Sequence, residues 1–141
     1  MKTAEEAYEA YEAACKGINI KDNENIVLES KDPYYCYLFA KNVHGANIKA
    51  HEKVVLENKH IHFCYVFARD MPGANIKAHE EIILGSKDCY YCYLFAKDVK
   101  DSNKEELFKV VLEIGDENYI NIFLKDINFN KEKFKTYLLF I

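Results

Sequence analysis

The chain has 141 residues, half of them hydrophobic, and its 19 basic and 23 acidic residues give a formal charge of −4. That length and apolar share suit one domain with its own core, and the acidic balance argues against direct nucleic-acid binding, which usually shows as a basic excess. No apolar run approaches the roughly 20 residues that cross a bilayer, and the start Met1-Lys2-Thr3-Ala4-Glu5-Glu6 lacks the apolar core of a secretion signal, so a soluble, cytoplasmic protein with no membrane partner is expected.

The seven residues Ala46-Asn47-Ile48-Lys49-Ala50-His51-Glu52 recur as Ala74-Asn75-Ile76-Lys77-Ala78-His79-Glu80, 28 residues later. A period of that size marks a stack of supersecondary units, each covering its neighbour's apolar face. The expected fold is all-α: one domain, 1–141, forming an α-solenoid of antiparallel helix pairs. It divides into an N-terminal capping helix at 1–17, four full repeats at 18–45, 46–73, 74–101 and 102–129, and a C-terminal capping helix at 130–141.

In chain order, Thr3 to Lys16 fits the second helix of a unit, with Tyr8, Tyr11 and Cys15 on one face. Each full repeat opens its first helix with an asparagine, Asn19, Asn47, Asn75 or Asn103, a side chain suited to capping free backbone N–H groups. Asn103 with Glu106 also suits a capping box. The triplets Ile26-Val27-Leu28, Val54-Val55-Leu56, Ile82-Ile83-Leu84 and Val110-Val111-Leu112 predict helices packed on two sides.

Asp32 before Pro33 reads as an N-cap followed by the first residue of the second helix, and Asp88 and Asp116 hold the same place, with His60 the exception. Gly45 and Gly73 supply left-handed helix endings; Asp101 and Phe129 replace them, which predicts looser or longer later junctions. Phe39, Phe67, Phe95 and Phe123 sit on the second helices with Tyr35, Phe63, Tyr91 and Tyr119 four residues earlier. Cys36, Cys64, Cys92 and Ile120 complete that face at helical spacing. The last helix, Phe134 to Ile141, is apolar enough that either a second copy or another partner covers it, giving a homodimer, or it packs only on the fourth repeat.

The number of cysteines is odd, and three share one repeat position. Stacked helices lie about 9 to 10 Å apart, beyond the roughly 7 Å that a disulfide tolerates, so free thiols are expected. Cys89 and Cys92 form a C-x-x-C, but zinc usually takes four ligands; Cys89, at an exposed helix start, would be the reactive thiol of the set. His60, His62 and Cys64 cannot converge on one helix, while His51 and His79 should border the seam between repeats and could make it pH-sensitive. Phosphate loop, nucleophile elbow and dinucleotide fingerprint are all missing, so no catalytic residue, metal site or cofactor is assigned.

The candidate binding face is a ladder on the second helices: Tyr37, Tyr65 and Tyr93, flanked by Tyr34 and Tyr90, and extended one turn by Lys41, Arg69 and Lys97. Stiff aromatic rings edged by cations have the composition of a protein-binding surface. The competing expectation is that these tyrosines pack on the next repeat. If they form the surface, Tyr65→Ala with Tyr93→Ala should abolish partner capture and barely move the melting temperature.

The run Ser30-Lys31-Asp32-Pro33-Tyr34-Tyr35-Cys36-Tyr37-Leu38-Phe39-Ala40-Lys41, followed by Gly45-Ala46-Asn47-Ile48-Lys49, resembles tandem repeats of uncharacterised bacterial and phage proteins. The resemblance covers most of the chain and implies a helical repeat fold without any catalytic residue. A non-enzymatic protein-protein interaction module follows as the functional expectation, with a partner of unspecified identity. An anti-CRISPR-like inhibitor occupying the nucleic-acid channel of a host defence nuclease is the alternative the phage resemblance adds; a Cys/His metal or redox protein using Cys89 and Cys92 is the third.

Overall fold

The computed structural model describes residues 2–139, so Phe140 and Ile141 of the expected last helix lie outside the described residues, as does Met1. Among the described residues every regular element is helical. The chain divides into two compact units, Met1–Asn75 and Ile76–Ile141.

The first unit holds α1 (Ala4–Cys15), α2 (Ile20–Ser30), α3 (Pro33–Asn42), α4 (Ile48–Asn58) and α5 (Ile61–Asp70). Helix α1 packs on α2 and α3; α3 also packs on α2, α4 and α5; α4 packs on α2 and α5. A complete capping box opens α1: the Glu6 N–H donates to Thr3 Oγ1 at 3.1 Å and the Thr3 N–H to Glu6 Oε1 at 3.2 Å. Asn47 caps α4 as expected, accepting from the Ala50 N–H at 3.1 Å. Asn19 does not cap α2. It follows the left-handed Gly17 and is itself left-handed, at φ 39°, whereas a capping side chain works from an extended backbone.

The second unit holds α6 (Ile76–Ser86), α7 (Cys89–Asp98), α8 (Lys104–Ile114), α9 (Glu117–Asp126), a 3-10 turn (Glu132–Phe134) and α10 (Lys135–Leu138). Helix α7 packs on α6, α8 and α9, and α8 on α6 and α9. Helices α2, α4, α6 and α8 start at residues 20, 48, 76 and 104, and α3, α5, α7 and α9 at 33, 61, 89 and 117. The helix starts therefore recur at the spacing of the sequence repeat.

Short turns join the helices of each pair. The N-cap carboxylates of Asp32, Asp88 and Asp116 each accept backbone N–H bonds from the first turn, while His60 makes no side-chain cap. Just before them the preceding helix ends on a left-handed residue: Lys31, Lys59 and Lys87 at φ 57°, 62° and 57°, and Gly115 at 81°. At the other junctions Gly45 and Gly73 are left-handed, and so is Asp101, at φ 67°. The Ser102 N–H bonds the Val99 carbonyl at 3.3 Å, as the Ala46 N–H bonds that of Val43. The Asp101 junction is therefore no looser than the glycine ones, because a short polar side chain tolerates this conformation.

Phe39 and Phe67 in the first unit, and Phe95 and Phe123 in the second, are fully buried, each contributing roughly 2 to 3 kcal/mol of transfer free energy. Where Phe129 replaces glycine, its ring joins Phe108, Phe123 and Phe134 at centroid distances of 4.9, 5.4 and 6.2 Å. Phe134 is buried in that cluster at the end of a 3-10 turn that precedes α10, so the described part of the helix expected over 130–141 is not one continuous helix.

Candidate functional site

Tyr37, Tyr65 and Tyr93 project from the middle of α3, α5 and α7, and their residues are only 7, 4 and 8% exposed. The sequence left two readings open for them, a binding face off the core and packing on the next repeat, and their burial fits the second. The helices are packed on more than one side, so a residue one step round from the Phe39 face still meets a neighbour. The Tyr37 hydroxyl donates to the Asp70 carboxylate on α5, and the Tyr93 hydroxyl to Asp126 on α9. A buried phenol needs such an acceptor. Equivalent Asn42 instead donates its amide to the Tyr11 hydroxyl at 2.8 Å.

Cations roof the rings. Lys41 Nζ stands 5.6 Å from the Tyr37 centroid, the Arg69 guanidinium 5.2 Å from Tyr65 and Lys97 Nζ 5.7 Å from Tyr93, within cation–π reach. Lys41 also donates to the Tyr37 hydroxyl at 3.3 Å and lies 3.7 Å from Asp70. Arg69 grips the same carboxylate through Nε at 2.7 Å and Nη2 at 2.9 Å. That guanidinium, ahead of the Tyr37 bond, holds the Asp70 carboxyl down at about 2, against opposition from burial. Burial, and then the bond to Asp70, raises the Tyr37 phenol, whereas for Tyr93 the bond to Asp126 is the larger cause.

Of the eight candidate residues, Lys41, Arg69, Lys97, Tyr34 and Tyr90 are exposed and the three ladder tyrosines are buried beneath the cations. Tyr34, at the start of α3, lies 5.0 Å from the Tyr35 ring and 5.9 Å from Phe63, which His60 and His62 flank at 4.9 and 5.3 Å. In the second unit Tyr90 meets Tyr91 and Tyr119 at 5.4 and 6.5 Å.

A further ladder escaped the sequence reading. Glu24 accepts from the Asn47 N–H at 2.7 Å, Glu52 from the Asn75 N–H at 2.8 Å, and Glu80 from the Asn103 N–H at 2.6 Å. Glu24 also meets His51 Nε2 at 2.9 Å. The His51 ring is fully buried and stacks on Phe39, with centroids 5.0 Å apart. Burial lowers its pKa, and Glu24 opposes that. Because Glu80 occupies the Asn103 N–H, the expected Asn103/Glu106 box is half formed: Asn103 accepts from the Glu106 N–H at 3.2 Å. The signal was a glutamate 23 residues before each of Asn47, Asn75 and Asn103.

The thiol row is structural. Cys36, Cys64 and Cys92 are fully buried, donate to the Val27, Val55 and Ile83 carbonyls at 3.8, 3.9 and 4.0 Å, and are pushed by burial up to about 12. Cys89 is buried rather than exposed, and burial raises its pKa as well; desolvation outweighs the helix terminus expected to activate it. Among the described residues no three His, Cys, Asp or Glu side chains form a metal-like group, and no helix is long and apolar enough to cross a membrane. A groove of about 370 Å³ in the second unit is lined by Glu105, Lys109, Leu112, Phe134 and Tyr137 among others. Compared with known proteins, the chain matches no family model, no curated protein and no solved structure.

Proposed function

We propose that the chain is a non-enzymatic protein-binding module built as an α-solenoid, in which Lys41, Arg69 and Lys97 contact the partner together with Tyr34 and Tyr90. The carrying observation is that each of these cations is exposed yet seated on a buried tyrosine ring. A charged group held in one place loses less conformational freedom on binding than a freely rotating one, which favours affinity. Tyr37, Tyr65 and Tyr93 are then positioning residues rather than contacts. The repeated helix starts, and the packing of α3 on both α2 and α4, support the solenoid reading.

The test is capture from a bacterial host lysate with wild type and a Lys41→Ala, Arg69→Ala, Lys97→Ala variant, followed by titration of the captured protein in purified form. Binding that weakens about 100-fold or more in the variant, with the thermal melt little changed, supports the face. Unchanged binding moves the site elsewhere.

A further inference from the structure

Helix α1 buries Ala7, Ala10 and Ala14, side chains small enough to let it lie close to its neighbours, so its tyrosines reach rings on α3. The Tyr8 and Tyr11 centroids stand 6.1 and 6.3 Å from that of Tyr35, and Tyr34 stands 5.0 Å from it. The ring planes are inclined by 61°, 46° and 60°, so the faces are not stacked away against one another. Tyr8 and Tyr34 are exposed, and Tyr11 and Tyr35 half-buried. All four lie in the first compact unit.

Carboxylates edge this patch. Glu5 and Glu12 stand three residues before and four after Tyr8, on the same face of α1, and Asp32 caps the start of α3. Burial, then Asp32 and, more weakly, Glu12 raise the Tyr35 phenol, so the charged groups acting on that ring are acidic. Lysines stand at the borders: Lys16 after the last turn of α1, Lys31 beside Asp32, and Lys2, which pairs with Glu6 at 3.6 Å. Glu5, Glu9, Glu12 and Asp32 outnumber Lys16 and Lys31. Past Tyr34 the rings run on to Phe63, flanked by His60 and His62, so the acidic end of the row is its α1 end.

The face of an aromatic ring attracts a cation, and a neighbouring carboxylate adds to the pull. Arginine suits the pair better than lysine, because its planar, weakly hydrated guanidinium stacks on a ring while its N–H groups reach a carboxylate. We infer that Tyr8, Tyr35 and Glu12 form a second binding surface, which takes an arginine side chain on a segment of a partner protein: the guanidinium lies on the rings and donates to Glu12. This surface goes beyond the proposed cation row and depends on none of Lys41, Arg69 and Lys97.

Calorimetric titration of the full chain with a capped arginine-glycine repeat peptide tests it, beside the lysine-glycine and glutamine-glycine counterparts. The arginine peptide should bind best, more weakly at high salt, and the glutamine one not at all. Tyr8→Ala should weaken binding about threefold to tenfold with helical content unchanged, and Tyr8→Phe, which keeps the ring, should bind as wild type does. Glu12→Gln should weaken it similarly, whereas Glu81→Gln, the same change of charge at an exposed site on α6, should leave it alone. An arginine peptide that fails to bind overturns the inference, as does a glutamine peptide that binds equally well. So does a Glu81→Gln effect as large as that of Glu12→Gln, which means attraction to the acidic chain at large. The Lys41→Ala, Arg69→Ala, Lys97→Ala variant should hold the peptide at least as tightly as wild type. Loss of lysate capture in that variant and loss of peptide binding in Tyr8→Ala therefore report the two surfaces separately.

Discussion

At Lys59 the chain needs a left-handed residue, with φ 62°, to pass from α4 into α5, and a side chain there costs about 1 kcal/mol relative to glycine. Gly115 solves the same turn without that cost. Lys59→Gly should therefore raise the unfolding free energy in urea by about 0.5 to 1 kcal/mol, part of the gain being offset by greater freedom of the unfolded chain. Gly115→Ala should lower it by about 1 kcal/mol, although nothing lies within 4 Å of where the added Cβ would stand. Lysine gives no hint of such a turn, and Gly115 at the equivalent position was the single legible sign. The tyrosine ladder stood between two readings, a binding surface and packing on the next repeat, for a related reason: residue type cannot tell a phenol that faces water from one whose hydroxyl meets a carboxylate. Tyr65→Ala with Tyr93→Ala should now cost several kcal/mol, about 3 to 5 for each ring if the sites do not collapse, measured as a large fall in melting temperature. A melt that barely moves would restore the exposed ladder.

Between elements, the glutamate series does what the asparagine caps do within them. Glu80 on α6 accepts the N–H of Asn103, whose own side chain caps α8, so one helix fastens the start of another. Removing the carboxylate in Glu80→Ala strands that N–H and should cost about 1 to 3 kcal/mol, with faster hydrogen exchange at the Asn103 amide than at amides within α7. Glu80→Gln should recover most of the loss, because its carbonyl oxygen still accepts and no charge is buried; burial already raises the Glu80 pKa. The helices themselves were legible because Asp32, Asp88 and Asp116 precede apolar runs at helical spacing. The bond that links them was not, since a glutamate 23 residues away belongs to no local pattern. The last element went astray where Phe134 turned inward, a choice made by Phe108 and Phe129 rather than by its own neighbours.

For the molecule as a whole, the 28-residue period carried the all-helical class, while the interior charges that govern its pH response were hidden in residues that look like surface. Two of them act in the same direction. His51 is buried with its pKa lowered, so between the ordinary value near 6.5 and the depressed one the unfolded chain binds a proton that the folded chain refuses. Stability falls as pH drops through that window. Asp70, held down at about 2 from an ordinary 3.8, contributes stability above that ordinary value that is lost as pH falls toward 2, about 2 kcal/mol in all. Glu80 opposes them: its raised pKa lets the folded chain keep a proton longer, so its contribution declines as pH rises past the ordinary carboxylate range. Urea unfolding from pH 8 to pH 2 should therefore show two steps of acid destabilisation, the first smaller in His51→Phe but not abolished, because burial lowers the His62 pKa as well. The gap between wild type and Asp70→Asn should narrow from about 2 kcal/mol at neutral pH toward nothing at the acid end. A gap that stays constant with pH would mean that Arg69 and Tyr37 hold the side chain by shape and not by its charge.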